Sequence, residues 1–333
     1  MPVQAISRRL LASGVLSLPY IGGSMAKDDR LFYQYAENVL GERIAAEEKG
    51  GEGRKDIMHY LLNAKDASTG KSFSRSQLNA ESGLLIAAGA DTTSLTLAAA
   101  IFYLCHNRRV MSILVEEVRS ACAGVKGQIA PSKLVALPYL RAVIDETLRL
   151  SPPVPSLLPR EVLKGGLKID GEYIPAGTVV GVSAYAIHRN PEYFPKPETF
   201  CPERWIVAEE KAASPLPSLI PRTRDAISIA RQAFTAFSQG PRGCIGRQLA
   251  YYELHTALAI LLDRFDVRLA ADAHTGEPVK DSTSWREGSV PVMDPKEKRE
   301  NWREERKREY EFQLFDRFLS DRNGPMVEFR ANS

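Results

Sequence analysis

The sequence predicts a mainly α protein with small β elements gathered in its C-terminal half. Three observations carry that expectation. Apolar residues recur at helical spacing through most of residues 29–150. Asp170-Gly171 sits within alternating residues 167–182, the signal of a two-residue hairpin. Pro191, Pro195, Pro197 and Pro202 then crowd residues 189–203 and forbid a regular helix or central strand there. Nothing suggests a Rossmann sheet, a barrel or a repeat array.

Each element follows in order. Leu31, Phe32, Tyr35, Ala36, Val39, Leu40 and Ile44 form one helical stripe over residues 29–48, and Gly50-Gly51-Glu52-Gly53 ends it as a linker. Those glycines neither follow a strand nor open onto GK[ST], so they make a poor phosphate loop. A short helix is expected over 55–63 and a turn at Thr69-Gly70. Ser74 or Ser76 would cap a long helix running to about residue 105. An amphipathic helix spans 108–122. Pro138 opens another, where its missing N–H costs nothing, with Leu140, Val143, Ile144, Thr147 and Leu148 on one face. Residues 208–224 read as a surface loop. A helix follows Cys244 with Leu249, Leu254, Ala257, Leu258 and Leu261 as its apolar face. The stretch 296–309 holds seven basic and five acidic residues and reads as a solvated helix. Gly324-Pro325 separates two strand-like pieces, with Val327 and Phe329 alternating on the second.

Composition narrows the function. The 333 residues allow one large or two ordinary domains. The apolar share of 44% and charged share of 26% are those of a soluble globular chain, which excludes disorder and collagen. Lys+Arg at 44 against Asp+Glu at 41 leaves a net charge of +3, too balanced for a nucleic-acid binder. Cys105, Cys122, Cys201 and Cys244 form no CxxC pair, which excludes a disulfide scaffold, argues against structural zinc and fits a reducing compartment. Residues 8–23 begin with two arginines, but Ser, Gly and Pro interrupt the apolar run and make a poor signal peptide. Leu84 to Cys105 is long enough to cross a bilayer. Asp91, with Thr92, Thr93, Ser94 and Thr96, would be costly in lipid, so this segment is expected to be a helix buried in protein.

One cysteine stands apart. A lone Cys is ordinarily a small buried hydrophobe. Cys244 instead lies in Phe237-Ser238-Gln239-Gly240-Pro241-Arg242-Gly243-Cys244-Ile245-Gly246, a glycine-rich loop leading into a helix. Glycines let backbone approach a flat ligand. A helix start offers unpaired N–H groups and a positive dipole end that favour a thiolate. Arg242 could pair with an anionic group such as a carboxylate. That set suits a haem iron and its propionates. In FxxGxRxCxG, matched by Phe237, Gly240, Arg242, Cys244 and Gly246, the chain resembles the cytochrome P450 family. The resemblance implies haem b with Cys244 as axial iron ligand, Arg242 on a propionate, and Phe237 near the ligand.

Two further motifs fit the resemblance. Glu146-Thr147-Leu148-Arg149 is ExxR, which alone would be a surface ion pair worth about 0.2–0.5 kcal/mol. In the family it forms a buried network with an arginine of a later PER motif, supplied by Pro202-Glu203-Arg204-Trp205. Glu146, Arg149 and Arg204 would then be structural. Ala88-Gly89-Ala90-Asp91-Thr92-Thr93 could be a polar patch whose hydroxyls bond back to i−4 carbonyls. Gly89, Asp91 and Thr92 work against a buried apolar helix, and such local conflicts tend to mark function. The patch matches the family's [AG]Gx[DE]T oxygen-activation motif. Gly89 would open a groove for dioxygen, and Asp91 and Thr92 would relay protons. Ala88, Thr93, Val154, Leu157, Leu158 and Phe318, with Leu319 beside it, are candidate substrate contacts, and Arg160 would reach a propionate. Ala186-Ile187-His188-Arg189-Asn190-Pro191 to Trp205 resembles the family's meander.

The resemblance covers about residues 30–330 and implies an N-terminally truncated haem domain over 29–333 after an uncertain segment 1–28. The membrane anchor, the first helices, most of the main sheet, the substrate lid and the WxxxR helix of the family are unmatched. Trp302 to Arg306 fits WxxxR by letter only. The implied function is a monooxygenase inserting one atom of O2 into a small apolar substrate, with electrons from an NADPH-dependent P450 reductase. The loops look like those of filamentous-fungal members, many acting in secondary metabolism. Such members are usually anchored to the endoplasmic reticulum facing the cytosol, and without an anchor this chain is expected to be cytosolic or peripheral. A peroxide isomerase or dehydratase of the family often lacks the acid–alcohol pair that Asp91-Thr92 provides. An inactive haem-binding fragment is the other alternative.

Overall fold

A computed structural model describes residues 23–49, 55–124, 130–207, 220–269 and 327–332. They form nine α-helices, six short strands and two 3-10 turns among the described residues. The chain divides into two compact units, residues 1–90 and 91–333, with the division inside one long helix.

The first unit holds α1 (Gly23–Glu48), α2 (Ile57–Asn63) and the start of α3 (Arg75–His106). Asp56 caps α2 by accepting the His59 N–H at 2.9 Å, and it also takes Arg43 Nε at 3.0 Å. Arg43 reaches Glu47 one turn on, at 2.6 Å, so one guanidinium ties the two helices. At the head of α3, Ser74 Oγ accepts the Gln77 N–H and Gln77 Oε1 accepts the Ser74 N–H, a reciprocal capping box that settles the start at Ser74. Gly83 of α3 lies against Phe32 and Ala36 of α1, where a Cβ would make ordinary contact 3.6 Å from the Phe32 ring.

The second unit is built on the end of α3 with α4 (Arg108–Cys122), α5 (Pro131–Val135), α6 (Pro138–Leu150) and α9 (Arg247–Arg264). Leu95 and Leu104, Leu114 and Val118, Leu140 and Val143, and Leu254 and Leu258 share one core. Charged groups fix the helix ends. Glu117 of α4 accepts the Tyr139 and Leu140 N–H groups at 2.9 and 2.8 Å, two of the orphan donors at the start of α6. Arg119 donates to the Leu262 carbonyl near the end of α9 at 3.1 Å. A second cluster joins Ala142 of α6, Phe194 and Trp205 of the proline-rich stretch, and Ala230 and Ala233 of α8 (Arg224–Ala233).

The β elements are three antiparallel pairs. β1 (Arg160–Glu161) pairs with β4 (Val179–Val180), and β2 (Leu167–Ile169) pairs with β3 (Glu172–Ile174). Asp170 and Gly171 turn the second pair with φ of 47° and 88°, as the Asp-Gly signal requires. β5 (Phe265–Leu269) pairs with β6 (Val327–Ala331) in the register Val267↔Phe329. α7 (Ala184–Ile187) is one turn capped by Ser183.

Several expectations change. The long apolar helix is buried most fully toward its C-terminal end, with Leu78, Ser82 and Gly83 the buried positions of its first half. Leu84 is 62% exposed, and Ala88 to Asp91 face solvent, whereas Ala99 to Cys105 are buried. Gly89 and Asp91 are exposed, Thr92, Thr93 and Ser94 are half-buried, and Thr96 is buried. α3 is the one described helix long and apolar enough to cross a membrane, a property that core helices share. α6 is buried nearly all round rather than on one face. Of the loop expected over 208–224, residues 220–224 are described; Thr223 there caps α8, whose buried side is Ile227, Ala230 and Ala233. On α9 the inner face is Tyr251, Leu254, His255, Leu258 and Leu262, while Leu249 and Ala257 are exposed. The 50–53 linker, the 296–309 segment, Trp302, Phe318 and Leu319 lie outside the described residues.

Candidate functional site

The cysteine loop is folded by its own backbone. Ser238 and Gly240 take positive φ of 57° and 70°, and Gly240-Pro241-Arg242 forms a 3-10 turn closed by the Gly243 N–H on the Gly240 carbonyl at 2.9 Å. The Cys244 N–H then donates to the Phe237 carbonyl at 2.8 Å, which brings the two ends of the loop together. Cys244 is exposed and sits three residues before α9 begins at Arg247, whose N–H reaches the Cys244 carbonyl at 3.4 Å. A Cβ on Gly246 would stand 3.8 Å from Cys244 Sγ, so the glycine keeps that side of the sulfur bare. Arg242 is exposed beside it. The Phe237 ring packs on Tyr251 of α9, with centroids 5.1 Å apart.

Behind the loop lies a buried charge network. Glu146 and Arg149 are wholly buried, and Arg204 is 3% exposed. Arg149 meets Glu146 through Nε and Nη2, both at 2.9 Å, a two-pronged pair. Arg204 Nε lies 3.1 Å from Oε1 and 3.2 Å from Oε2 of the same carboxylate. The Cys201 N–H at 2.9 Å and the Trp205 indole N–H at 3.0 Å complete it. The spare guanidinium donors end on carbonyls: Arg149 on His188, Pro197 and Thr199, and Arg204 on Pro195 and Lys196. Burial pushes the Glu146 carboxyl up, but the two arginines outweigh it and hold the carboxyl at about 2. Its neighbour Asp145 goes the other way: burial raises it despite Arg141 at 3.0 Å and the Tyr251 hydroxyl at 2.6 Å.

On α3, Asp91 is exposed and Thr92 is half-buried. Thr96 Oγ1 bonds back to the Thr92 carbonyl at 2.8 Å, and Ser94 Oγ to the Asp91 carbonyl at 3.2 Å. Thr93 Oγ1 faces Glu253 Oε2 of α9 at 3.4 Å, a contact between the helix of this motif and the helix after Cys244. A side chain at Gly89 would meet nothing within 4 Å among the described residues, and Ala88 is exposed. Arg160 lies on β1, where its Nη1 donates to the Pro159 carbonyl at 2.9 Å. Leu157 is exposed and bridges to Ser183, and Val154 and Leu158 are half-buried.

Three partners escaped the sequence reading. Trp205 was legible in principle, because a buried indole N–H needs an acceptor. Asp145 and Tyr251 carry no local signal, since their pairing spans α6 and α9.

The donor chemistry can be tested against the implied group. Among the described residues no three His, Cys, Asp or Glu side chains gather to hold a metal ion. A single exposed sulfur beside a free-standing arginine fits an iron that brings its other ligands with it, as haem does.

Comparison with known proteins agrees. The sequence profile of a family described as Cytochrome P450 matches residues 17–289. The chain is 34% identical over 302 residues to the cytochrome P450 monooxygenase atnE of Emericella nidulans, covering 91% of this chain and 50% of that one. It is 42% identical over 214 residues to apf8 of Gibberella fujikuroi, covering 64% and 55%, and 36% identical over 275 residues to lcsN of Purpureocillium lilacinum, covering 80% and 78%. Both are named cytochrome P450 monooxygenases. For the most part the chain spans about half the length of the curated relatives it matches.

Proposed function

This chain belongs to the cytochrome P450 family, and we propose that it carries the catalytic half of a haem-thiolate monooxygenase. The reaction inserts one atom of O2 into a small apolar molecule, and a reductase oxidising NADPH supplies the electrons. The observation that carries this reading is the exposed Cys244 on a glycine turn ahead of α9, tied through the Phe237 carbonyl to a fully buried core.

When bound, haem supplies the iron at which dioxygen is activated. The residues of the chain do the rest. Cys244 would hold the iron through its thiolate, and Arg242 and Arg160 would pair with the propionates. Gly246 leaves the sulfur accessible, and Phe237, packed on Tyr251 of α9, anchors the loop through its carbonyl. Asp91 and Thr92 hold and pass protons, a role a carboxylate and hydroxyl on adjacent positions can share. Gly89 and Ala88 leave room on their side of α3. Val154, Leu157 and Leu158 offer apolar surface to the substrate, and Thr93 adds a hydroxyl held by Glu253. The relatives' fungal sources support a role in secondary metabolism.

The test is Thr92→Ala in haem-loaded protein with NADPH and a fungal P450 reductase. Reducing equivalents should leave as hydrogen peroxide instead of entering product. Unchanged coupling would remove Thr92 from the proton path. Turnover of a peroxide without O2 or NADPH would indicate an isomerase or dehydratase instead.

A further inference from the structure

His188 is wholly buried in the second unit, yet neither the charge network nor the cysteine loop claims it. Its surroundings define its state. Nε2 receives the Thr235 N–H at 2.9 Å, so that nitrogen carries no proton. Nδ1 lies 3.0 Å from the Arg149 carbonyl, an acceptor, so the proton sits there. The ring stacks on Phe234 with centroids 5.3 Å apart and planes at 11°, and the His188 carbonyl accepts Arg149 Nη1 at 2.8 Å.

These contacts join two parts of the structure. Arg149 belongs to the network around Glu146. Thr235 opens the segment from which the cysteine loop hangs: its carbonyl accepts the Ser238 N–H at 2.8 Å, and the Phe237 carbonyl accepts the Cys244 N–H. A second path closes the circuit, because Trp205, bonded to Glu146, lies edge-on to Phe234 at 5.3 Å. Only a neutral imidazole of one tautomer can bridge an N–H and a carbonyl here. Burial and the Arg149 charge push its pKa down to about 3, which keeps it neutral.

We propose that His188 is a positioning residue for Cys244, transmitting the order of the Glu146–Arg149–Arg204 network through the Thr235 amide to the loop that presents the thiolate. The proposal rests on Cys244 as the iron ligand, but two of its three tests do not. In the unmodified chain, nitrogen NMR of the imidazole should show the Nδ1–H tautomer, unprotonated, from about pH 5 to pH 8. An Nε2–H tautomer or a protonated ring would overturn the bridge. In His188→Phe, which keeps a flat ring but neither hydrogen bond, amide exchange at Thr235 and Cys244 should quicken about tenfold or more, as loss of one buried bond implies. In His188→Gln, whose amide offers both an acceptor and a donor, most of that protection should return. Unchanged exchange in both variants would overturn the proposal.

The third test is spectroscopic. Haem-loaded His188→Phe, reduced under carbon monoxide, should lose much of its red-shifted thiolate band, and His188→Gln should retain more of it. Leu114→Ala, a cut in the main core, should lower the melting temperature without moving the band. If Leu114→Ala moves the band as far, His188 acts through stability alone and the proposal fails. If the unmodified chain shows no thiolate band, the ligand assignment of Cys244 fails, while exchange and tautomer still decide whether His188 couples network to loop.

Discussion

Two adjacent carboxylates on α6 show how environment assigns roles. Glu146 is answered by two guanidinium groups, an indole N–H and a backbone N–H, whereas Asp145 has one half-exposed arginine and one hydroxyl. Removing the Glu146 charge leaves Arg149 and Arg204 buried without a counter-ion. Glu146→Gln should therefore destabilise by about 3–5 kcal/mol. Asp145→Asn should cost clearly less, because burial already disfavours its charge. Urea midpoints of the two variants check the order, and equal losses would contradict it. The sign for Glu146 also follows. Its folded value of about 2 lies below the ordinary 4.5, so its contribution is complete above pH 4.5 and is lost as pH falls toward 2. At this scale the sequence was informative. ExxR and PER named the three charged members, and the spacing of Phe237, Gly240, Arg242, Cys244 and Gly246 singled out one cysteine of four. The sequence did not reveal which neighbours complete each group. Trp205, His188 and Tyr251 reach their partners across 59, 39 and 106 residues of chain, and no local pattern encodes that.

Helix and turn boundaries were legible wherever a residue with one strong local preference set them. Pro138 opens α6, residues 108–122 form α4 as their apolar spacing required, and Asp170-Gly171 turns β2 into β3. The capping box at Ser74 is the sharpest such case. Ser74→Ala should destabilise the first unit by about 0.5–2 kcal/mol, seen as faster amide exchange at the start of α3. Protection there equal to the unaltered chain would mean that Gln77 alone holds the end. Gly171→Ala should loosen the β2–β3 pair, since a non-glycine residue at φ of 88° is strained. Proteolysis within residues 167–174 would report it, and unaltered resistance would argue against a structural need for that turn. What stayed illegible was set by tertiary packing. α8 went unassigned in the sequence, although Thr223 caps it and Ile227, Ala230 and Ala233 lie on its buried side. The burial of α6 on all sides reflects α4, α9 and the PER turn closing around it, which its own sequence does not announce.

At the scale of the molecule, burial sets how three histidines respond to pH. His106, His188 and His255 are all held below their ordinary 6.5 chiefly by burial. Each takes up a proton more readily unfolded than folded. Their contribution to stability is therefore complete above pH 6.5 and declines as pH falls below it. A urea midpoint that drops between about pH 7.5 and pH 5 is expected, and a midpoint that rises would contradict that burial. The mainly helical architecture with small β pairs was readable from periodicity and proline placement, and the family from its motifs. The division at residues 90 and 91 was not, because it falls inside one unbroken helix whose sequence changes character only gradually. The central claim is that Cys244 presents a thiolate to haem iron. The measurement that tests it most directly is the reduced carbon-monoxide difference spectrum of the 333-residue chain loaded with haem, beside Cys244→Ala. A strongly red-shifted Soret band in the first and its loss in the second are the predicted result. The same band in both, or a band of a neutral axial ligand in the unaltered chain, would contradict the account.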